Sequence, residues 1–210
     1  MAVAAARRLE PGSRERLLAA AAAEFAARGF AGANVDRIAR AARVNKAMIY
    51  YHFKSKAALY REILQDMFEA VGARVRAVAA SDAEPDAKIR AFVEAIAAEA
   101  EARPHFPSIW LREIAEGTAH VDEKTLSYAK GVVQVLGSML EAGHRAGRFV
   151  RINPLLVHAG IVAPLLVYLA SAGFRRKLEA SGLKALSTLT RDHVVAHIQR
   201  TTLALLEGRI

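Results

Sequence analysis

The sequence predicts an all-α protein with two helical domains. Apolar residues recur at the three- and four-residue spacing of a helix face through most of the 210 residues. No segment shows the alternation of apolar and polar residues, bounded by turn residues, that is typical of a β-strand. We expect an N-terminal domain over residues 1–60, which starts with a disordered basic arm at 1–12, and a larger domain over 61–210.

Three helices are predicted in the first domain, of which the second is short. The first begins near Ser13, a candidate N-cap, and ends at Gly29. The second follows Asn34 and the third follows Asn45, because Asn side chains accept hydrogen bonds from the free amides at a helix start. The apolar face of the first helix carries Leu17, Leu18, Ala21 and Phe25.

A long fourth helix is expected to connect the two domains. Ser55 is its candidate N-cap, and the polar segment SDAEPD at 81–86 ends it. A continuous apolar stripe makes this helix long enough to join two parts of the molecule. The stripe consists of Leu59, Ile63, Met67, Val71, Val75 and Val78.

Helical spacing continues through the second domain. Asn153 followed by Pro154 predicts a helix start, because Asn caps and Pro needs no amide partner at the first position. Gly143 and Gly147 are expected to loosen the chain. The other predicted boundaries are a start at Pro85, an end at Pro104 and Pro107, an end at Gly117, a start at Asp122, and a last helix between Ser187 and Gly208.

Positive charge is concentrated near the N-terminus of a chain whose formal net charge is +9. Residues 1–61 hold twelve Lys and Arg against four Asp and Glu, whereas residues 62–210 hold eighteen against seventeen. This asymmetry indicates that the first domain faces a polyanion, either nucleic acid or an anionic membrane. The chain has no cysteine, which excludes disulfides and thiolate metal ligands and favours a cytoplasmic protein.

Residues 35–53 fit a helix-turn-helix motif, in which the second helix lies in the major groove of DNA. Ala39 is small enough for two helices to cross closely. The turn has one position at which glycine is common, and this chain has Arg43 there. Either Arg43 adopts a left-handed conformation at a cost of roughly 1 kcal/mol, or the turn differs in detail. The buried positions are expected to be Ile38, Ala42, Val44 and Ile49.

The stretch NVDRIARAARVNKAMIYYHFKSKAALY, residues 34–60, resembles the N-terminal DNA-binding domain of TetR-family transcriptional regulators. The resemblance implies a homodimer that presents two recognition helices to a palindromic operator in double-stranded DNA. It places the dimer interface in two long helices near 154–173 and 188–207. The likeness rests on Ile38-Ala39, Val44-Asn45-Lys46, Ile49-Tyr50, His52-Phe53 and Ser55-Lys56, preceded by RGF at 28–30.

The resemblance also implies which residues contact DNA. Asn34 and Lys56 would bind phosphates at the starts of the second and fourth helices, and Tyr50 and His52 would contact the DNA backbone. Met48 cannot donate a hydrogen bond, so any base contact there would be apolar, as with a thymine methyl group. The implied set is Asn34, Asn45, Lys46, Ala47, Met48, Tyr50, Tyr51, His52 and Lys56.

A ligand cavity is expected among the middle helices, where regulators of this type sense small molecules. Charged residues are nearly absent from the apolar stripes, so the expected effector is mostly apolar and uncharged or weakly polar. Aromatic residues at helical spacing also form ordinary core, and both interpretations stay open for each residue. The candidate lining is Phe92, Phe106, Trp110, Tyr128, Met139, His158 and Tyr168.

The resemblance implies a transcriptional repressor that leaves DNA when its effector binds. Two other functions remain as alternatives. Residues 152–174 contain no Asp, Glu, Lys or Arg and are long enough to cross a bilayer, although Pro164 and several small residues suit an interface helix equally well. A small all-α enzyme is the second alternative. However, His193 and His197 lack the glutamate of a zinc protease helix, and no nucleotide-binding or nucleophile motif is present. The sequence predicts no catalytic residue, no metal site and no cofactor.

Overall fold

The protein is helical throughout the part that the structure describes. This computed structural model describes residues 12–183 and 188–210, and these ranges contain no β-strand, which confirms the predicted fold class. The chain divides into two compact units, Met1–Ile63 and Leu64–Ile210. The helices are α1 (Ser13–Gly32), α2 (Val35–Ala41), α3 (Ala47–Phe53), α4 (Lys56–Ala80), α5 (Pro85–Ala102), α6 (Phe106–Ala115), α7 (Glu123–Arg145), α8 (Pro154–Ala170), α9 (Ala172–Ala180) and α10 (Arg191–Leu206).

The first unit buries one face of α1 against α2 and α3. Phe25 is almost completely buried, and Ile38 and Ile49 are fully buried. The Phe25 ring meets the edge of the Tyr60 ring, with 4.8 Å between the ring centroids. Because Tyr60 belongs to α4, this helix completes the core. Helices as short as α2 and α3 are not stable alone, so this shared core holds them in place.

Helix α1 differs from its prediction at both ends. Gly29, the predicted end, has φ 68° and ψ 177°, and a short helical segment follows this kink as far as Gly32. Glycine reaches this conformation without a steric penalty. At the other end, Gly12 is the N-cap and Ser13 is already helical, so the prediction of Ser13 as the cap is wrong.

Side-chain caps confirm four of the predicted helix starts. A short polar side chain satisfies an amide that has no partner inside the helix, so the residue type determines where the helix begins. For α3 the cap is displaced, since Lys46 is the N-cap and Asn45 Oδ1 accepts from the Ala47 amide at 2.8 Å. The four confirmed caps accept from main-chain amides as follows: Asn34 from Asp36 at 2.7 Å, Ser55 from Ala58 at 3.0 Å, Asp122 from Thr125 at 2.9 Å, and Asn153 from Leu155 at 2.9 Å.

The turn between α2 and α3 contains a left-handed residue. Arg43 has φ 55°. Its amide donates to the Arg40 carbonyl at 3.1 Å, and the Val44 amide donates to the Ala39 carbonyl at 3.0 Å. These two bonds form a Schellman motif, which favours glycine at its left-handed position. Of the two possibilities that the sequence leaves open, the protein therefore adopts the strained turn.

Helix α8 lies at the centre of the second unit, where it packs against α5, α6, α7 and α10. Helix α10 also packs against α5. Thr190 caps α10 by accepting from the His193 amide at 3.3 Å, so one member of the HxxxH pair lies in the first turn of that helix. The predicted start at Ser187 lies outside the described residues. The inward side chains of α8 are Val157, Ile161, Leu165 and Leu166.

The possibility of a membrane span was raised by residues 152–174. Among the helices within 12–183 and 188–210, no single one is both long and apolar enough to cross a bilayer. Helices α8 and α9 taken together reach that length and composition, but they are bent by 58° where they meet.

Gly143 allows close packing and does not loosen the chain. It lies inside α7, and a Cβ added there would overlap the ring of Phe149, which is 4% exposed. The prediction of a loosened chain is therefore wrong at Gly143, because the ring occupies the space that a side chain would need. Gly147, by contrast, follows the end of α7 and has φ 68°.

Gly143→Ala is expected to destabilise the protein by about 1–3 kcal/mol, because the added methyl group must displace a buried ring. Gly131→Ala is a matched control in the same helix, since nothing lies within 4 Å of its added Cβ. It should stabilise the protein by up to about 1 kcal/mol through reduced backbone entropy of the unfolded chain. Urea unfolding followed by circular dichroism measures both effects, and equal effects would contradict the packing at Gly143.

Candidate DNA interface and ligand cavity

Helix α3 has one buried side and one exposed side. Ile49 is fully buried and Phe53 is 3% exposed, so these two residues anchor the helix to the first unit. Tyr51 is 78% exposed and Tyr50 is 48% exposed. Ala47 is exposed beside them, and Met48 is half-buried. The outer side of α3 therefore combines phenol groups with small and apolar side chains, a surface suited to contacts in a DNA groove.

Polar side chains at the starts of α2 and α3 are held by contacts within the protein. The ammonium group of Lys46 lies 3.0 Å from the carboxylate of Asp36, and this hydrogen bond raises the pKa of Lys46. Asn34 and Asn45 use their Oδ1 atoms to accept main-chain hydrogen bonds, which leaves their NH₂ groups as donors for another molecule. A phosphate would compete with Asp36 for Lys46, since both are anions.

His52 connects the end of α3 to the start of α1. Its Nε2 atom lies 2.9 Å from Ser13 Oγ, and its ring lies 5.1 Å from the ring of Tyr51. The side chain is half-buried. The imidazole is therefore held in position, and Nδ1 is the nitrogen that remains for a further hydrogen bond.

Lys56 has a structural role that the sequence did not reveal. Its ammonium group donates to the carbonyl of Phe30 at 2.8 Å and to the carbonyl of Ala33 at 3.1 Å. It also lies 4.5 Å from the centre of the Phe30 ring. These contacts use two of its three donors, so at most one remains for the predicted phosphate contact.

The second unit contains an apolar cavity of about 400 Å³, within the size range of small-molecule sites. Helices α4, α5, α6, α7 and α8 contribute to its wall. The Phe68 ring meets the edges of Phe106 and Trp110, at centroid distances of 5.7 Å and 4.9 Å. Prominent lining residues are Met67, Phe68, Val71, Ile96, Phe106, Trp110, Val133, Leu155, His158 and Val162.

Three of the seven predicted pocket residues line this cavity, namely Phe106, Trp110 and His158. The others do not. Phe92 and Met139 are 0% and 5% exposed in the core. Tyr128 is half-buried with Lys124 Nζ 5.7 Å from its ring centre, and Tyr168 donates to the Leu189 carbonyl at 3.2 Å. Met67 and Val71 were missed as lining, although both belong to the apolar stripe of α4, and Phe68 was missed beside that stripe.

Two nitrogen-bearing side chains interrupt the apolar wall of the cavity. Burial lowers the pKa of His158, so its imidazole is neutral at pH 7. Lys130 reaches the cavity from α7 and is exposed. Neither side chain has a hydrogen-bond or ion-pair partner within the described ranges. An apolar ligand that carries one polar or acidic group would find partners at these two nitrogens.

The outer face of α8 is apolar and exposed. Leu156 is 68% exposed and Val167 is 55% exposed. Contiguous apolar surface of this kind marks sites of protein–protein contact. The small or apolar residues exposed between them are Ala159, Gly160, Ala163 and Pro164.

A group of metal-binding residue types lies near the end of α6, although the sequence predicts no metal site. Atoms of Glu113, Glu116 and His120 that could bind an ion lie within 4.8 Å of one another. Fully buried Glu113 accepts from the His120 amide at 2.7 Å, and its second oxygen lies 3.1 Å from His120 Nδ1. These bonds fasten the loop after Gly117 to α6.

A helix-turn-helix with an exposed second helix, in a chain that also has a helical unit with an apolar cavity, defines a DNA-binding regulator with a ligand-binding unit. The chain belongs to the tetR family of bacterial regulatory proteins, whose model matches residues 17–63. The model of the tetracyclin repressor-like C-terminal domain matches residues 85–201. The protein is therefore a transcriptional regulator and not an enzyme. Regulators of this family bind DNA operators as dimers and respond to small molecules.

The chain is similar to known transcriptional regulators. The HTH-type transcriptional repressor NicS of Pseudomonas putida is 28% identical over 158 residues, which is 74% of each chain. The HTH-type transcriptional repressor KstR2 of Rhodococcus jostii is 30% identical over 139 residues, covering 66% of this chain and 68% of that protein. The crystal structure of the TetR family transcriptional regulator PfmR of Thermus thermophilus has the same fold, with a TM-score of 0.68 and 21% identity over 93% of this chain and 96% of that chain.

Lys56→Met is expected to destabilise the first unit by about 1–3 kcal/mol, because two carbonyl groups near the end of α1 lose a charged donor. Lys54→Met is the matched control, since the Lys54 side chain is exposed and has no partner in the described part of the chain. Its effect should stay within about 0.5 kcal/mol. Urea unfolding compares the two variants. Weaker DNA binding of Lys56→Met at unchanged stability would instead assign Lys56 mainly to phosphate binding.

Proposed function

We propose that this protein is a repressor that binds a palindromic operator as a homodimer and is released by a small, mostly apolar molecule. The observation that carries the proposal is the exposed face of α3 inside the helix-turn-helix. Repression is supported by NicS and KstR2, whose names both describe transcriptional repressors. Binding to an operator implies action in the cytoplasm, where bacterial DNA lies.

Nine residues form the proposed DNA-binding surface. Lys46 and the Asn side-chain amides approach phosphates at the starts of α2 and α3, as the N-termini of helices favour anions. Met48 and Tyr51 face the bases, and Met48 can contact only apolar groups such as a thymine methyl. The full set is Asn34, Asn45, Lys46, Ala47, Met48, Tyr50, Tyr51, His52 and Lys56, the last with a single available donor.

The proposed dimer forms through α8 and α10, near residues 154–173 and 188–207. The exposed apolar face of α8 supports this proposal, because Leu156 and Val167 would be buried by a second copy of the chain. Small residues between them let two helices approach closely. A palindromic operator requires this twofold arrangement, since each copy contacts one half-site.

The proposed effector site is the cavity of the second unit. Met67 and Phe68 of its wall lie on α4, the helix that also carries Tyr60 in the core of the first unit. A ligand that repacks this wall would move α4, change the separation of the two recognition helices and lower operator affinity. Such a ligand must bind the released conformation more tightly than the operator-bound one.

Selection of bound duplexes from a random DNA library at about 150 mM salt tests the DNA-binding proposal, because weak nonspecific binding is suppressed there. The expected result is enrichment of one palindrome. Lys46→Ala and Tyr50→Ala should each weaken operator binding while the protein stays dimeric. Gly131→Ala, far from α3 in sequence, serves as a control that keeps wild-type affinity. Failure to enrich any sequence would contradict the proposal.

Titration with decanoate and decanol tests the effector proposal, with Trp110 as an intrinsic probe because it is the only tryptophan. Both compounds should change its fluorescence, and decanoate should bind more tightly because Lys130 attracts its carboxylate. Lys130→Gln should remove this preference, and Val162→Phe should weaken both ligands by narrowing the cavity. Unchanged fluorescence with both compounds would refute an apolar effector at this site.

A further inference from the structure

The turn of the helix-turn-helix holds an arginine in a conformation that suits glycine. Arg43 has φ 55° and occupies the left-handed position of a Schellman motif. A side chain at this position brings its Cβ close to the main chain and destabilises the turn. Glycine would remove this strain, so the stability of the turn does not account for an arginine at this position.

No contact within the described part of the protein offsets the strain at Arg43. Its side chain is exposed and forms no hydrogen bond or ion pair with residues 12–183 or 188–210. Some other basic residues of the first unit have such partners, whereas Lys54, like Arg43, has none in the described part of the chain. Arg37 pairs with Glu24 at 2.6 Å, and Lys46 pairs with Asp36 at 3.0 Å. Within residues 12–183 and 188–210, Arg43 therefore presents an unpaired guanidinium group at the protein surface.

The position of Arg43 in the chain is close to the proposed DNA contacts. It precedes Asn45 and Lys46, which lie just before the first residue of α3. The hydrogen bond from the Val44 amide to the Ala39 carbonyl holds the turn in one conformation. A guanidinium group offers a fixed fork of donors that matches two phosphate oxygens. Contacts of this kind fix how a protein sits on the duplex without reading its sequence.

We propose that Arg43 binds a phosphate of the DNA backbone and so positions α3 in the groove. This inference rests on the proposed DNA-binding function and adds a residue to it. The strained turn is then a compromise in which the folded protein is less stable than it would be with glycine, and the complex with DNA is more stable. Functional sites hold strain for this reason.

The test compares wild type, Arg43→Gly and Arg43→Lys by fluorescence anisotropy, on the selected operator and on an unrelated duplex of equal length. Arg43→Gly should weaken binding to both duplexes by about tenfold or more, because one charged contact is lost in each copy. The logarithm of the association constant for DNA falls linearly with the logarithm of the salt concentration. Its slope should become shallower by about 0.9 for each lost phosphate contact, or by about 1.8 for a dimer. Arg43→Lys should keep the wild-type slope, because it keeps the charge.

Stability measurements separate a lost DNA contact from a damaged fold. Arg43→Gly should raise the Tm while DNA affinity falls, which a merely structural role would not produce. Arg145→Gln is the charge-matched control in the second unit, where Arg145 is exposed, and it should keep the wild-type slope. If Arg43→Gly keeps the wild-type DNA affinity and the wild-type salt dependence, the inference about Arg43 is wrong and the proposed DNA-binding function still stands. If wild type binds neither duplex, the proposed function fails and this inference fails with it.

Discussion

The continuity of α4 is the constraint on which the rest of the structure depends. The helix runs from Lys56 to Ala80, and its backbone hydrogen bonds make these residues one continuous helix. Leu59 and Tyr60 are buried in the first unit, whereas Met67 and Phe68 line the cavity of the second. The core of the helix-turn-helix and the wall of the cavity are therefore built on one element. A packed helix shifts as a body between discrete arrangements, which is the physical basis of the proposed coupling between effector and DNA.

In the first unit, buried side chains anchor α3, whereas residues at the surface proposed to bind DNA are strained or exposed. Ile49 and Phe53 hold α3 firmly against the core, so its outer face is presented in a fixed orientation. Around that face, Arg43 is strained and Tyr51 is 78% exposed. Lys46 is held by Asp36 in the protein alone, and a phosphate must compete with that carboxylate. Residues that face a ligand are often less than optimal for stability, and the strain at Arg43 is consistent with the phosphate contact proposed for it.

The two sides of α8 have different surroundings in the second unit. Its inner side packs against four other helices, and His158 on the same helix reaches the cavity. Its outer side exposes Leu156 and Val167, the apolar surface on which the proposed dimer rests. The same helix would then contact the effector and the second copy of the chain, which gives a ligand in the cavity a short physical route to the dimer interface.

The sequence by itself determined the fold class, most helix starts and the helix-turn-helix. These features depend on local signals, because a cap such as Asn34 or Asn153 acts within a few residues and an apolar stripe follows the helix period. Only the tertiary structure decided which apolar residues surround a cavity. Phe92 lies in the core while Phe106 lines the space, although both are aromatic residues on apolar helix faces, because the packing of five helices decides where a void remains. The roles of Lys56 and Gly143 were decided in the same way. The carbonyl partners of Lys56 are 26 and 23 residues away in the chain, and Gly143 packs against a buried ring.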